Sequence, residues 1–304
     1  MKRTFLLLLA ALTALQAFAQ EEAVSGDILR FVRTERSMSA SGSAGALFSS
    51  TTGTDWSAST FGNVAALPFM ENLFAVGLSY AMWTPSATRV MHVAAGAAVK
   101  AGKRVGITAG FVRDMYPSFD FNGKTVKPFD MYFGGGISVA VASCFSLGAN
   151  FKYAWEETLY RTTAFSVDLL AQYHGKDFNV CAGVISLGPK VKPNEDNIKY
   201  SLPSSVRLSA DYVFRFGIMS LQPALSAEYY FSKHFAVVPG LQFGVKDYVF
   251  VRAGYRYANE GCVTPSHLAL GVSGGYAGVS LSATFLTANK ELGNSFLVGL
   301  GYRF

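Results

Sequence analysis

The sequence predicts an all-β protein, a transmembrane antiparallel β-barrel of about 14 strands with an N-terminal segment inside its lumen. Three observations lead to this prediction. Period-two alternation of apolar and polar residues recurs along most of the chain. Hydrophobic residues make up 50% of the chain and charged ones only 15%, yet no apolar run after residue 20 approaches the roughly 20 residues of a membrane helix. The links between the alternating segments are short at one end and mostly longer at the other.

The first element along the chain, residues 1–19, is predicted to be a secretory signal peptide. An apolar run follows Lys2 and Arg3, and Ala17-Phe18-Ala19 gives a small-x-small cleavage site. The leader carries two basic residues and no acidic one, so the net charge falls from +6 to +4 in the mature chain. We therefore expect a protein exported through a cleaved signal peptide.

The next element, residues 20–72, shows no alternation and is rich in small polar residues. Two interpretations remain open from the residues alone: a disordered tail, or a segment folded into the barrel as a plug. We adopt the plug segment as the prediction.

The third element, residues 73–304, contains fourteen candidate strands. In the clearest, 145–156, apolar residues from Phe145 to Trp155 share one face, and polar residues from Ser146 to Glu156 occupy most of the other. The predicted strands are 73–83, 89–101, 103–114, 130–142, 144–156, 162–173, 176–187, 203–214, 217–229, 235–245, 247–257, 265–275, 277–286 and 295–304. Alternation alone does not separate a soluble sandwich from a barrel whose outer face contacts lipid.

The connections favour the barrel. Links after even-numbered strands are tight, as at Gly102 and Lys246, whereas most links after odd-numbered strands are longer, as at 115–129 and 188–202. Outer-membrane barrels have this asymmetry, with turns at the periplasmic end and loops outside. Closure also leaves no unpaired strand edge. We therefore predict a barrel in the outer membrane of a Gram-negative cell, with membrane lipid as its first partner.

No catalytic or metal-binding pattern emerges. Gly271-Val272-Ser273-Gly274-Gly275 has the spacing of a nucleophile elbow, but a strand follows it, and His267 would lie roughly 20 Å away along the same strand. The four histidines occur singly, without metal-ligand spacing. No basic run with interleaved aromatics suggests nucleic acid. We predict a protein that is not an enzyme and that uses no metal and no cofactor.

Candidate functional residues lie in the lumen and in the long loops. The lumen candidates for ion pairs are Lys152, Asp168, Arg207 and Asp211; Lys152 and Asp168 fall on neighbouring strands. Either they hold the plug within a salt-bridged interior, or they line a selective pore. The loop candidates are the aromatic residues Tyr116, Phe119, Phe121 and Phe129. They are a partner surface or they pack over the barrel mouth, and the sequence favours neither.

A resemblance bears on the plug. Asn63-Val64-Ala65-Ala66-Leu67 resembles the N-P-A-x-L element of FadL-like barrels, in which a Ser/Gly/Ala-rich segment occupies the lumen before the first strand. Val64 stands where that element has its proline. The resemblance implies that Asn63, Ala65, Leu67 and Pro68 belong to the plug.

A second resemblance lies in residues 185–212, which are similar to the PorV/PorQ family of the type IX secretion system in Bacteroidota. The matching residues are Gly188, Lys190, Val191, Leu202, Pro203, Val206, Arg207 and Leu208. It implies an outer-membrane component that handles exported cargo proteins through their C-terminal signal domains, together with other secretion components. Lys190 and Lys192 would then join the aromatic loop residues as partner-binding candidates. The alternative is a FadL-like transporter of hydrophobic small molecules, which needs an apolar lumen pocket and a gated plug.

Overall fold

The computed structural model describes residues 42–84, 90–157, 161–191, 199, 201–262, 264–288 and 294–304. The predicted signal peptide and Lys192 lie outside these ranges. The strands are β1 (Phe74–Thr84), β2 (Val90–Ala101), β3 (Val105–Met115), β4 (Phe119–Phe121), β5 (Lys124–Val126), β6 (Phe129–Ala142), β7 (Phe145–Glu157), β8 (Arg161–His174), β9 (Phe178–Leu187), β10 (Ser205–Tyr212), β11 (Phe214–Phe216), β12 (Met219–Tyr230), β13 (Phe235–Val245), β14 (Val249–Ala258), β15 (His267–Tyr276), β16 (Val279–Ala288) and β17 (Asn294–Arg303). Two short 3-10 helices, η1 (Trp56–Phe61) and η2 (Val64–Phe69), precede β1.

These strands form a closed antiparallel barrel with fourteen wall positions. Neighbours along the chain pair in order, β1 pairs with β17, and β10 pairs with β12. The strand β11 continues the wall position of β10 beyond Val213, and β4 and β5 form a separate hairpin in a loop. The predicted fold class is confirmed. The described part of the chain contains no helix long and apolar enough to cross a membrane.

The two faces of the wall have opposite chemistry. Each of the fourteen wall strands exposes at least one large apolar side chain on its outer face. On β8, Phe165 and Leu169 are exposed while Ser166 and Asp168 point inward and are buried. An apolar surface that encircles a barrel is stable only in contact with hydrocarbon, which is the pattern of membrane barrels.

The tight turns predicted at Gly102 and Lys246 include those residues, whereas two others lie one or two residues later than the sequence predicts. Arg215 and Phe216, predicted to form a turn, still pair with β12, and the chain reverses at Gly217 with φ +62°. Likewise the turn predicted at Tyr276 falls on Ala277 and Gly278, both with positive φ. Two-residue hairpins favour such left-handed residues because their twist matches that of the strands. Backbone geometry therefore placed these turns where the alternation did not show them.

Candidate functional site: the lumen and its plug

Residues 42–72 lie inside the barrel, and we call them the plug. The plug meets the wall at the turn end, where the Lys100 Nζ donates to the Met70 carbonyl at 2.7 Å. Just beyond the plug, the Leu73 N–H donates to the Phe304 carbonyl at 2.9 Å. Most residues of η1 and η2 are buried. The lumen is therefore filled by the chain's own N-terminal segment.

A continuous line of polar side chains crosses half of the inner wall near the turn end. It joins seven neighbouring strands, β8–β10 and β12–β15, and we call it the polar belt. Its members are His174, Asn179, Asp211, Gln222, Gln242, Arg252 and Ser273. Successive members lie within hydrogen-bonding distance, from 2.6 Å between Arg252 Nε and Gln242 Oε1 to 2.9 Å at each of the Asn179–Asp211 and Arg252–Ser273 contacts.

The polar belt binds residues 49–53 of the plug. Ser49 Oγ donates to Asp211 Oδ1 at 2.5 Å, and Gln222 Nε2 donates to Ser50 Oγ at 2.8 Å. Farther along the belt, an Arg252 Nη donates to the Gly53 carbonyl at 2.7 Å. Buried polar groups need partners, so wall and plug satisfy each other here.

The opposite part of the wall meets the plug through glycines. Five inward positions on adjacent strands are directly paired glycines, which we call the glycine row: Gly301, Gly77, Gly96, Gly110 and Gly134. A Cβ on Gly96 would lie 2.1 Å from the Ser57 carbonyl oxygen, and one on Gly134 would lie 2.5 Å from a Thr60 methyl carbon. Because only glycine leaves this space, η1 rests directly on the backbone of the wall.

The plug residues named from the sequence contact the wall at separate points. The Asn63 side-chain amide donates to Gln172 Oε1 at 2.7 Å and to the Phe48 carbonyl at 3.1 Å. The Ala65 carbonyl accepts from the Ser146 hydroxyl. Leu67 and Pro68 are buried within η2.

The lumen ion-pair candidates divide into two groups. Lys152 Nζ lies 2.6 Å from Asp168 Oδ2, and both side chains are buried. Arg207 and Asp211 do not pair with each other, because four residues along one strand separate them by roughly 13 Å. Arg207 instead pairs with Glu228 at 3.1 Å, as does Arg256 at 2.7 Å.

Arg207 also contacts the plug. One of its nitrogens donates to the Gly45 carbonyl at 2.5 Å, and its guanidinium lies 3.9 Å from the centre of the Phe48 ring. Asp211 belongs to the polar belt. Arg207 and Asp211 therefore join the plug to the wall, whereas the Lys152–Asp168 and Arg256–Glu228 pairs join neighbouring wall strands.

The loop candidates do not form one surface. The Tyr116 hydroxyl donates to Asp130 Oδ2 at 2.5 Å, and Phe129 packs against Trp155 with ring centroids 5.7 Å apart. Phe119 and Phe121 are exposed on the β4–β5 hairpin, and Lys190 is exposed in a different loop. Thus Tyr116 and Phe129 pack on the barrel, whereas the hairpin rings face outward.

The candidate enzyme residues are placed apart. Ser273 accepts from Arg252 in the belt, and His267 Nδ1 lies 3.0 Å from the Pro265 carbonyl. Among the described residues, no group of three or more His, Cys, Asp or Glu side chains is placed to hold a metal ion.

Two small cavities lie beside η1. One of about 70 Å³ is lined by Asp55 and Arg252, and another of about 30 Å³ by Ser57 and Phe61. Desolvation in the lumen raises the pKa of Asp55, while hydrogen bonds from Ser57 lower it. Sites for small organic ligands measure roughly 300–1,000 Å³, so these two cavities suit only a few water molecules.

A larger apolar depression lies on the outer face, directly behind the glycine row. We call it the outer groove. It measures about 880 Å³ and is lined by Val76, Leu78, Ala97, Ala109, Phe111 and Phe133, among others. The small side chains of β2 and β3 form its floor. At this place only the main-chain atoms of the glycine row separate the outer groove from η1.

Sequence reasoning missed both the polar belt and the glycine row. The amide side chains of the belt, Asn179, Gln222 and Gln242, are single inward residues on separate strands, so no local sequence pattern marks them. The only signal was glycine at inward mid-strand positions, where it often marks the close approach of another backbone.

Comparison with known proteins finds the fold but no sequence relative. No protein-family profile and no curated protein sequence matches the chain. Among solved structures, the chain is similar to the toluene transporter TbuX of Ralstonia pickettii, with a TM-score of 0.62, 11% identity, and coverage of 87% of this chain and 98% of that one. The toluene transporter TodX of Pseudomonas putida has a TM-score of 0.59, 13% identity, and coverage of 88% and 97%. A FadL homologue of Pseudomonas aeruginosa has a TM-score of 0.55, 12% identity, and coverage of 88% and 98%. The chain thus has the fold of FadL-like barrels.

Proposed function

We propose that this protein is a non-enzymatic barrel of the Gram-negative outer membrane that admits apolar small molecules, with the plug as its gate. One observation carries the proposal: the outer groove lies behind the glycine row, against which η1 packs. The solved structures of similar fold include two toluene transporters, and we extend that substrate class to this chain.

The chemistry of the groove supports an apolar substrate. Its lining combines aromatic rings, such as Phe111 and Phe133, with a floor of alanine and glycine. No charged side chain lines it. The groove is open toward the membrane and contacts a molecule on one side. A monoaromatic hydrocarbon matches this polarity.

The two attachments of the plug support gating at η1. Residues 49–53 are hydrogen-bonded to the polar belt, whereas η1 rests on the glycine row mainly through van der Waals contact, with one hydrogen bond between Thr60 and Thr108. A shift of η1 away from the glycine row leaves the belt contacts in place. It opens space in the lumen directly behind the groove.

The test is uptake of toluene by cells that express the protein, compared with an Ala97→Trp variant that fills the groove. We expect uptake to fall to the level of cells without the protein, because the indole occupies the floor. The matched control is Leu208→Trp, which adds the same bulk at an exposed outward position on β10. Equal uptake by Ala97→Trp and the wild type, at equal surface amounts, would rule out this route.

A second function, in type IX secretion as implied by the PorV/PorQ resemblance, is favoured by the exposed β4–β5 hairpin. Phe119 and Phe121 are 42% and 46% exposed at the loop end, where an exported protein would be met. Val191 and Leu202, two of the motif residues, belong to the same buried apolar cluster as Phe61 of the plug, which suits a closed barrel used as a platform.

The test of this second function is mass spectrometry of proteins that co-purify with the tagged barrel from detergent-solubilised outer membranes. Exported proteins that share a C-terminal domain, and are lost in a Phe119→Ser/Phe121→Ser variant, would support it. Recovery of the same cargo with both variant and wild type would exclude the hairpin as the contact. Recovery of no such cargo would exclude the function.

A further inference from the structure

At the loop end of the outer face, two aromatic rings lie between two arginines in a line across four neighbouring strands. We call this the rim cluster: Arg113 on β3, Phe129 on β6, Trp155 on β7 and Arg161 on β8. Arg113 lies 5.1 Å from the centre of the Phe129 ring, and Arg161 lies 4.0 Å from that of Trp155. The two rings are 5.7 Å apart.

The strand register creates this line. Phe129 is paired with Glu157, and Trp155 with Met131, so the two rings meet across the diagonal between adjacent strands. Trp155 is paired with Thr163, and Arg161 lies two residues before Thr163. Arg161 is therefore diagonal to Trp155 in the same way. Odd-numbered residues of these four strands face outward, and both arginines are exposed. The order of groups across the wall is cation, ring, ring, cation.

The rim cluster has unused binding capacity for an anion. Neither Arg113 nor Arg161 forms an ion pair with any residue that the structure describes. A guanidinium stacked on a ring keeps its edge N–H groups free for phosphate. Trp155 Nε1 is buried and has no hydrogen-bond acceptor among the described residues. Glu157, paired with Arg161 across the strands, is the acidic neighbour within the line.

The neighbouring residues indicate where the rim cluster lies relative to the membrane. Toward the middle of the barrel, the outward residues of the same strands are apolar and exposed, including Phe133, Tyr153 and Phe165. Cations at the edge of such a surface lie where lipid headgroups begin. The loop end faces outward in an outer-membrane barrel, so these headgroups belong to the outer leaflet.

We propose that the rim cluster binds the headgroup of a phosphorylated glycolipid of the lipid A type. The two arginines bind its phosphates, the aromatic faces contact its sugars, and its acyl chains lie on the apolar surface below. Three strand spacings and an offset of two residues separate the two arginine backbones by roughly 16 Å. Two cations so far apart match a disaccharide phosphorylated at both ends better than a glycerophospholipid with a single phosphate.

This inference rests on the proposed outer-membrane location and is independent of what the barrel admits. If the protein does not admit toluene, the glycolipid proposal still stands. If it does not bind the glycolipid, the transport proposal still stands. The site is on the outer surface and requires no movement of the plug.

The experiment is native mass spectrometry of the detergent-solubilised protein titrated with diphosphorylated lipid A, comparing the wild type with Arg113→Gln/Arg161→Gln. Loss of two charge-assisted contacts is expected to weaken binding about tenfold. The matched control is Lys124→Gln/Lys233→Gln, which removes the same charge from exposed loop-end lysines. We expect this control to bind as the wild type does. Unchanged heat-dependent gel mobility shows that each variant is folded.

Two outcomes would overturn the proposal. One is equal lipid A affinity of the arginine variant and the wild type. The other is equal wild-type affinity for phosphatidylglycerol and lipid A, which would mean that the arginines attract any anionic lipid. Dephosphorylated lipid A is expected to bind the wild type as weakly as lipid A binds the arginine variant. A Trp155→Leu variant is expected to weaken binding with no change in net charge, because the stacking platform is lost.

Discussion

The two parts of the barrel wall hold the same plug in different ways. The polar belt contacts residues 49–53 through directed hydrogen bonds, and it needs a particular side chain at each of seven strands. The glycine row contacts η1 by having no side chains at all. The first attachment depends on donors and acceptors, whereas the second depends on distance. A change in chemistry should therefore break one, and a change in volume the other.

The largest expected effect is on the polar belt. Asp211→Ala removes the acceptor for Ser49, Asn179 and Gln222 together. Leaving buried donors unsatisfied is expected to lower the free energy of unfolding by about 3 kcal/mol. Urea unfolding in detergent, followed by tryptophan fluorescence, measures it. Asp211→Asn keeps one acceptor oxygen and should lose clearly less; equal losses would mean that the belt acts by packing.

The second-largest expected effect is a loss of stability on substitution in the glycine row. Gly134→Ala places a methyl group 2.5 Å from the Thr60 methyl carbon, so η1 has to shift. Overpacking of this kind costs about 2 kcal/mol. Gly135→Ala is the matched control, because that Cβ meets nothing closer than 3.7 Å. The same urea titration distinguishes them, and equal stability of the two variants would contradict a close contact between wall and plug.

A smaller effect isolates one bond between plug and belt. Ser49→Ala removes the hydroxyl that donates to Asp211, and we expect a loss of about 1 kcal/mol. In the Asp211→Ala background the same change should cost almost nothing, because the partner is already gone. Additive losses in this double-mutant cycle would show that the two residues act independently.

The smallest expected effect concerns an exposed ion pair outside the lumen, and it serves as a reference for the three lumen variants. Arg215 pairs with Asp177 at the exposed turn end. Arg215→Gln should change stability by less than about 0.5 kcal/mol, because exposed ion pairs contribute little. The change should also disappear in high salt. A loss as large as that of Asp211→Ala would mean that the turns, rather than the lumen, determine stability.

The sequence predicted the wall well because a strand's outer and inner faces repeat every two residues. It predicted the lumen less well, because contacts there depend on register. The turn after β10 is an example. A turn centred on Arg215 and Phe216 would pair Arg207 with Ala224, whereas the observed register pairs it with Glu228. A displacement of two residues was enough to hide the ion pair.

The belt and the glycine row were hidden for a related reason. Their members lie on neighbouring strands, but which inward residues face one another depends on the exact register, and no local pattern shows it. The opposite charges of Lys152 and Asp168 on consecutive strands predict a pair even without the register. The alternation of apolar and polar residues also carries no information about which plug residues contact which wall residues.

The glycine row also links closure of the wall to docking of the plug. The plug runs directly into β1, and β1 closes the cylinder by pairing with β17 over ten residues, from Ala75–Arg303 to Thr84–Asn294. Gly77 and Gly301 lie within that seam, and η1 fits against them without clearance. Once this seam has formed, η1 can reach the glycine row only along the barrel axis, because the wall itself is closed. Pairing of β1 with β17 therefore builds part of the surface on which η1 rests, and wall closure and plug docking share the same residues.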